Sequence, residues 1–320
     1  MKATRLLAVL LTFTTLICAC NSNDNQSNNK LSDEKSQKLE MLKKDYFGLK
    51  MSWLEFNEYK GEIKSLKTIK YNAYGKFGEV TLDSIIDEEY IEFNKEGFIT
   101  VKGDTEYTYE INDKCQTITS RRGDSITKRE IHNLNANGFP TQSDSYGSAG
   151  ELTERIKYKY DNKGRLIEKI SYDKDGKATH KLLNVKYGSN GLPTSWEDYT
   201  ANASGKKKLQ QHTYYPNGYL KEILITEDDC TNAQILQEVE NNKTKKITVN
   251  NFNKDGNIWL QSISIYNKKE ELVEMSHYND KKLVQHTKYE YDSIGNIIKT
   301  TEFEYEEPVA VNLIEIEYYK

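Results

Sequence analysis

Five histidines, His132, His180, His212, His277 and His286, are the side chains best suited to proton transfer or metal binding near neutral pH. None stands in a His-x-x-x-His or Cys-x-x-Cys pair, and a metal site needs several ligands at set spacing. His277 and His286 are close enough in sequence to face one another across a hairpin, but exposed polar strand positions are the favoured reading. The acidic clusters Asp83/Asp87/Glu88/Glu89 and Glu227/Asp228/Asp229 lack the calcium-loop pattern and read as solvated charge. Two carboxylates at a fixed separation can cleave a glycosidic bond, so a carboxylate-dependent hydrolase is one functional reading. Among 49 acidic residues, however, some pair is adjacent by chance. The sequence carries no Gly-x-Ser-x-Gly elbow, phosphate-cradling glycine loop or His-Glu-x-x-His. No cofactor or metal is implied, and the expectation is a non-enzymatic protein.

Binding chemistry is the remaining option. Trp53, Trp196, Trp259 and the 23 tyrosines could stack on sugars or peptides. Tyrosines at fixed repeat positions are better explained by cross-strand packing, at roughly 0.2–1 kcal/mol per pair; Trp196 and Trp259 lie outside those positions. A net charge of −4 with lysine and glutamate interspersed leaves no basic stripe for nucleic acid. With 36% hydrophobic residues the core must be thin. Cys115 and Cys230 are the two cysteines beyond the N-terminal region, too few for a disulfide framework, and read as unrelated thiols.

The N-terminus sets the compartment. Lys2 and Arg5 precede an apolar run from Leu6 to Ile17, too short at about twelve residues to span a bilayer, which needs roughly twenty. This is a signal peptide over residues 1–19. Ile17-Cys18-Ala19-Cys20 resembles the lipobox of bacterial lipoproteins, which implies a diacylglycerol thioether on Cys20 and lasting attachment to a membrane. Asn21 at the next position favours the outer membrane over inner-membrane retention. Residues 20–31 read as a lipidated cysteine and flexible tether. Residues 32–48 read as a helix capped by Ser32, with Leu39, Leu42 and Tyr46 on one stripe.

Residues 49–320 are organised by a degenerate repeat. Tyr158-Lys-Tyr160-Asp161-Asn-Lys-Gly164-Arg-Leu166 is matched by Tyr289-Glu-Tyr291-Asp292-Ser-Ile-Gly295-Asn-Ile297, with weaker copies around Asn94, Asp173 and Asn253. Gly138, Gly150, Gly164, Gly176, Gly191, Gly205 and Gly218 recur at roughly 12–15-residue intervals, room for one strand and one reversal. Asp or Asn opening the turn can accept from the following amides, and glycine three residues on can take positive φ. A type I turn closed by a glycine bulge is a favoured hairpin connection. The flanks alternate, Ile156, Tyr158 and Tyr160 against Arg155, Lys157 and Lys159, the period of a half-buried antiparallel strand. The expectation is an all-β antiparallel meander of about fourteen to eighteen strands, curled into a shell, open barrel or layered sheet. The segment 227–245 breaks the glycine period and is expected to be a longer loop.

The Tyr-Asp-x-x-Gly-x-Leu pattern resembles the YD repeats of the RHS family, whose strands coil into a large β-shell. The stretch from Tyr59 to Val80 resembles uncharacterised repeat lipoproteins of Bacteroidetes. Those resemblances imply architecture, and RHS toxins continue into a variable toxic domain where this chain stops at Lys320, so toxin delivery is not expected. Tyr214-Tyr215-Pro216-Asn217-Gly218, read as one residue shorter across its turn, resembles MORN-like repeats of antitoxin-type proteins and suggests an immunity role as an alternative. Asp83-Ser84-Ile85, Asp124-Ser125-Ile126 and Asp292-Ser293-Ile294 resemble the O-glycosylation motif of Bacteroidetes, making Ser84, Ser125 and Ser293 candidate modification sites. The leading reading is an envelope lipoprotein held to the membrane by its lipid, presenting a β-repeat surface to a glycan, peptide or protein.

Overall fold

The computed structural model describes residues 59–112, 114–200, 207–228 and 230–320. The signal peptide, Cys20, the tether, the expected helix over 32–48 and Trp53 lie outside the described residues.

Short alternating segments separated by tight reversals give twenty strands, more than the glycine spacing suggests. A long hairpin, β1 (Ile63–Lys76) and β2 (Glu79–Phe93), leads to β3 (Ile99–Lys102), β4 (Thr105–Ile111), β5 (Cys115–Arg122) and β6 (Ser125–Leu134). Then come β7 (Pro140–Tyr146), β8 (Leu152–Tyr160), β9 (Leu166–Asp173), β10 (Ala178–Tyr187), β11 (Pro193–Thr200) and β12 (Lys207–Tyr214). The last are β13 (Leu220–Glu227), β14 (Cys230–Glu240), β15 (Lys243–Phe252), β16 (Ile258–Tyr266), β17 (Leu272–Asn279), β18 (Lys282–Tyr291), β19 (Ile297–Glu304) and β20 (Glu307–Tyr318). Each strand pairs antiparallel with its sequence neighbours, and β20 returns to pair with β1. The sheet is therefore a closed up-and-down barrel, which removes most of the edges an open sheet would leave.

Turn chemistry explains the reversals. At Asp161 the carboxylate Oδ1 accepts from the amides of Lys163 and Arg165, each at 2.9 Å, and Gly164 at φ +77° returns its N–H to the Asp161 carbonyl. A register shift just before Tyr160 supplies the bulge. Asp292 makes the same turn, accepting from Ile294, Gly295 and Asn296. Tyr215-Pro216-Asn217-Gly218-Tyr219 has the same backbone bonds and the same length, with Tyr215 in the aspartate position. The one-residue-shorter reading of that segment is corrected, and with it the feature that set it apart.

The expected loop over 227–245 is also corrected. It is β14 flanked by tight reversals, and Asn241 and Asn242 both take positive φ, at 53° and 59°. Asparagine tolerates the left-handed region, so a two-residue turn forms without glycine and the period disappears from the sequence. Glu270, at φ 63°, stands in the glycine position of the turn opened by Asn267 for the same structural purpose.

The turns alternate between two rims. The entry rim, where the chain leads into β1, carries the turns at Asn94, Asn135, Asp161, Gly188, Tyr215, Asn267 and Asp292. The far rim carries mostly two-residue reversals such as Phe77-Gly78, Asp280-Lys281 and Tyr305-Glu306. Around the entry rim a tyrosine at or near the end of a strand donates its hydroxyl to the carbonyl of the residue opening the strand before it: Tyr109 to Ile99, Tyr160 to Pro140, Tyr187 to Leu166, Tyr214 to Pro193 and Tyr291 to Leu272. These lie at 2.6–2.8 Å and form a tyrosine collar.

Strand alternation divides the sheet into two faces. One carries the core: Ile223, Ile235 and Val249 stand opposite one another on β13–β15, continued by Ser262 and His277. Ile235 and Ile247 are 2% and 1% exposed, each contributing about 1.5–3 kcal/mol by leaving water. A second cluster joins Ile63 and Leu66 of β1 to Ile91 and Phe93 of β2, with Ile314 and Ile316 of β20 against it, at the closing seam. Asn296 locks that seam, accepting from the Lys60 amide at 2.6 Å and donating to the Lys60 carbonyl and Tyr318 hydroxyl.

Candidate binding surface

On the face opposite the core, Leu224, Gln234, Asn250, Gln261 and Tyr278 occupy one row across β13–β17. Their polar groups are linked. Gln234 Nε2 donates to Glu222 Oε1 at 2.6 Å, Asn250 Nδ2 to Gln234 Oε1 at 3.4 Å, and Gln261 Nε2 to Asn250 Oδ1 at 2.8 Å. A carboxylate thus terminates a chain of three amides, each fixed in orientation by its neighbour. Trp259 lies two residues before Gln261, so the same alternation puts its indole on this face, 37% exposed. Beside the row at the far rim is a recess of about 470 Å³, open to solvent and lined by Leu224, Phe252, Gln234, Thr231, Lys254 and Asp255 among others. Its size falls in the range of small-ligand clefts. Aromatic surface, oriented amides, the carboxylates of Glu222 and Asp255 and the ammonium of Lys254 suit a polyhydroxylated ligand.

The other expected binding aromatic, Trp196, is 7% exposed and packed on His212 with ring centroids 4.3 Å apart, inside the β8–β11 core cluster. Burial lowers the His212 pKa to about 4, so the ring is neutral at physiological pH. Ser84, Ser125 and Ser293 are all exposed, Ser84 accepting from Asn72 and Ser293 sitting in the Asp292 turn. Cys115 and Cys230 are both free thiols.

The histidines do not build a catalytic centre. His132 Nδ1 lies 2.7 Å from Ser143 Oγ, and His277 Nδ1 lies 2.8 Å from Ser262 Oγ. Burial lowers both pKa values, and no carboxylate hydrogen-bonds either ring among the described residues. Serine also stands opposite His180 and His286, as Ser171 and Ser276. This recurrence is a packing rule, a small side chain leaving room for an imidazole. His180 pairs instead with Asp198 at 3.0 Å, and although Ser171 stands across from it, no hydrogen bond joins the Ser171 hydroxyl to the ring among the described residues. His277 and His286, read as exposed strand positions, are half-buried and buried respectively; the minor alternative that they face one another is not realised, since His277 stands opposite Gln285 and His286 opposite Ser276, on opposite faces. No group of three metal-ligating side chains converges among the described residues.

Neither face is an apolar band. The core-bearing face holds Lys70 with Glu302, and Lys169; the other holds Arg155 with Asp144, and Lys207 with Glu197. Arg155 bonds Asp144 at 2.7 Å and holds its carboxyl below the usual range.

No family model matches the chain, and no curated protein matches it. Among solved structures it is similar to a porin-like protein from Bacteroides uniformis, with 9% identity, TM-score 0.37, and coverage of 80% of this chain and 98% of that one. A porin-like protein from Bacteroides vulgatus gives 13% identity, TM-score 0.25, and coverage of 81% and 99%. The Photorhabdus luminescens Tc holotoxin pore gives 11% identity, TM-score 0.34, and coverage of 71% of this chain and 15% of that one. The likeness is one of β architecture alone.

Proposed function

We propose that this protein is a YD-repeat-type lipoprotein of the bacterial envelope, anchored through Cys20, that binds without catalysis. Of a glycan, a peptide or a protein, the candidate surface suits a glycan best. The carrying observation is the Glu222–Gln234–Asn250–Gln261 chain beside the half-open Trp259 indole, where hydroxyl-matching groups flank a stacking plane. The chain enters β1 at one rim and the recess lies at the other. A tether at the entry rim therefore leaves the site clear of the anchoring membrane.

The test is titration of the mature protein with envelope and plant oligosaccharides, followed by tryptophan fluorescence and calorimetry. Trp259→Ala and Gln261→Leu each weaken the binding oligosaccharide by about tenfold or more. Unchanged affinity in both variants removes this surface. Turnover of the bound sugar, abolished by one carboxylate substitution, removes the non-catalytic reading.

A further inference from the structure

The outer edge of β2 is the one long strand edge the ring leaves open among the described residues. β3 covers β2 only at Ile91–Phe93, and the last bond on that side runs from the Gly103 amide to the Tyr90 carbonyl. From Glu79 to Glu89 no strand pairs with β2 on its β3 side among the described residues, while β1 pairs its other side as far as Lys76. The backbone N–H and C=O groups facing outward there form a template in two runs, each roughly 10–13 Å long at about 3.3 Å per residue, at the two ends of the segment.

Edges of this kind are ordinarily blunted by lysine or proline. The segment Glu79-Val-Thr-Leu-Asp-Ser-Ile-Ile-Asp-Glu-Glu89 contains neither. It displays Val80, Leu82, Ile85 and Ile86 at 41%, 42%, 56% and 48% exposure. Both register shifts along the β1 pairing put the extra residue in β2 itself, at Ile86 and at Asp83–Ser84, so the edge is divided into straighter runs at each end.

Charge identifies the occupant. Glu88 and Glu89 are paired with Lys67 and Lys102, each at 2.9 Å, but no cation pairs with Glu79, Asp83 or Asp87 among the described residues. A second copy added antiparallel across the segment's centre would set Glu79 against Glu89, like charges directly opposed. An anionic lipid surface would be repelled. We propose that the Glu79–Glu89 edge of β2 is a strand-addition site for an extended partner-protein segment in which basic residues alternate with β-branched apolar ones. Main-chain bonds supply affinity in this mode, and the alternating side chains supply selectivity. This site shares no strand with Trp259 and Gln261, so failure here and failure of the glycan reading are separable.

The test uses the full mature protein and two labelled peptides of matching length. One alternates lysine with valine and threonine; the other replaces every lysine with glutamate. Fluorescence anisotropy is expected to show binding of the basic peptide alone. Leu82→Lys and Ile85→Lys, at exposed positions that leave the sheet's circular dichroism intact, weaken it by about tenfold or more. Phe77→Asn, at the hairpin tip, leaves it unchanged. Equal binding of both peptides, indifference to the lysine substitutions, or loss in Phe77→Asn overturns the proposal. So does concentration-dependent dimerisation that Ile85→Lys abolishes, which would assign the edge to a second copy. Displacement of the basic peptide by a synthetic copy of residues 46–57 would assign it to this chain's own N-terminal segment and overturn it equally.

Discussion

Acidification is the sharpest probe of the core, because His212 is buried without charge. The ring is 5% exposed against Trp196, and burial takes its pKa from 6.5 to about 4. The unfolded chain protonates this imidazole as pH falls through 6.5, whereas the folded chain holds it neutral until about 4. Between those values the unfolded state binds more protons, so stability falls with pH. At 1.36 kcal/mol per pH unit the full effect is about 3 kcal/mol. It is complete once pH drops below the folded value and absent above 6.5. Burial lowers His132 and His277 in the same direction, so they add to the wild-type loss. His212→Phe keeps an aromatic ring against Trp196 and removes the proton site. Urea denaturation at pH 7 and pH 4 is expected to show wild type losing about 3 kcal/mol more than the variant across that interval. Parallel pH profiles for the two proteins would refute the claim that His212 is held neutral by burial.

Two further outcomes follow from the repeat. Tyr160→Phe and Tyr187→Phe each remove a collar hydroxyl bonded at 2.6–2.7 Å, costing about 0.5–1.5 kcal/mol each, read as a lower denaturant midpoint with unchanged slope. Gly164→Ala forces a Cβ onto a residue at φ +77°, costing roughly 1–2 kcal/mol, whereas Ala136→Gly in the neighbouring entry-rim turn leaves the melting temperature nearly unchanged.

The all-β meander was legible because two independent signals agree at Asp161 and Asp292: period-two alternation on the flanks and an acceptor-to-glycine turn between them. Segments using other turn chemistry were not legible. Asn241-Asn242 and Asn267–Glu271 reverse the chain with asparagine or glutamate at positive φ, so the glycine period that marks the other reversals is missing. Closure was unreadable for a different reason, since pairing of Leu66 with Ile316 joins the two ends of the described chain and leaves no local mark. Of the candidate surface, Trp259 could be singled out as an aromatic off the repeat positions. Gln234, Asn250 and Gln261 could not, because register brings them together from three strands and no spacing links them. The collar tyrosines were visible as repeat positions, but their hydroxyl partners lie on the preceding strand and escaped notice.

Ring closure through β1 and β20 carries a consequence for how the molecule is made. The first strand waits for the last, so every other strand must be synthesised before the seam can zip. Contacts so distant in sequence form slowly. In the interval the growing sheet has two raw ends, and the acidic first hairpin and the Glu315/Glu317-bearing last strand repel their own kind. Chains crowded together are thereby steered away from one another until each has bitten its own tail.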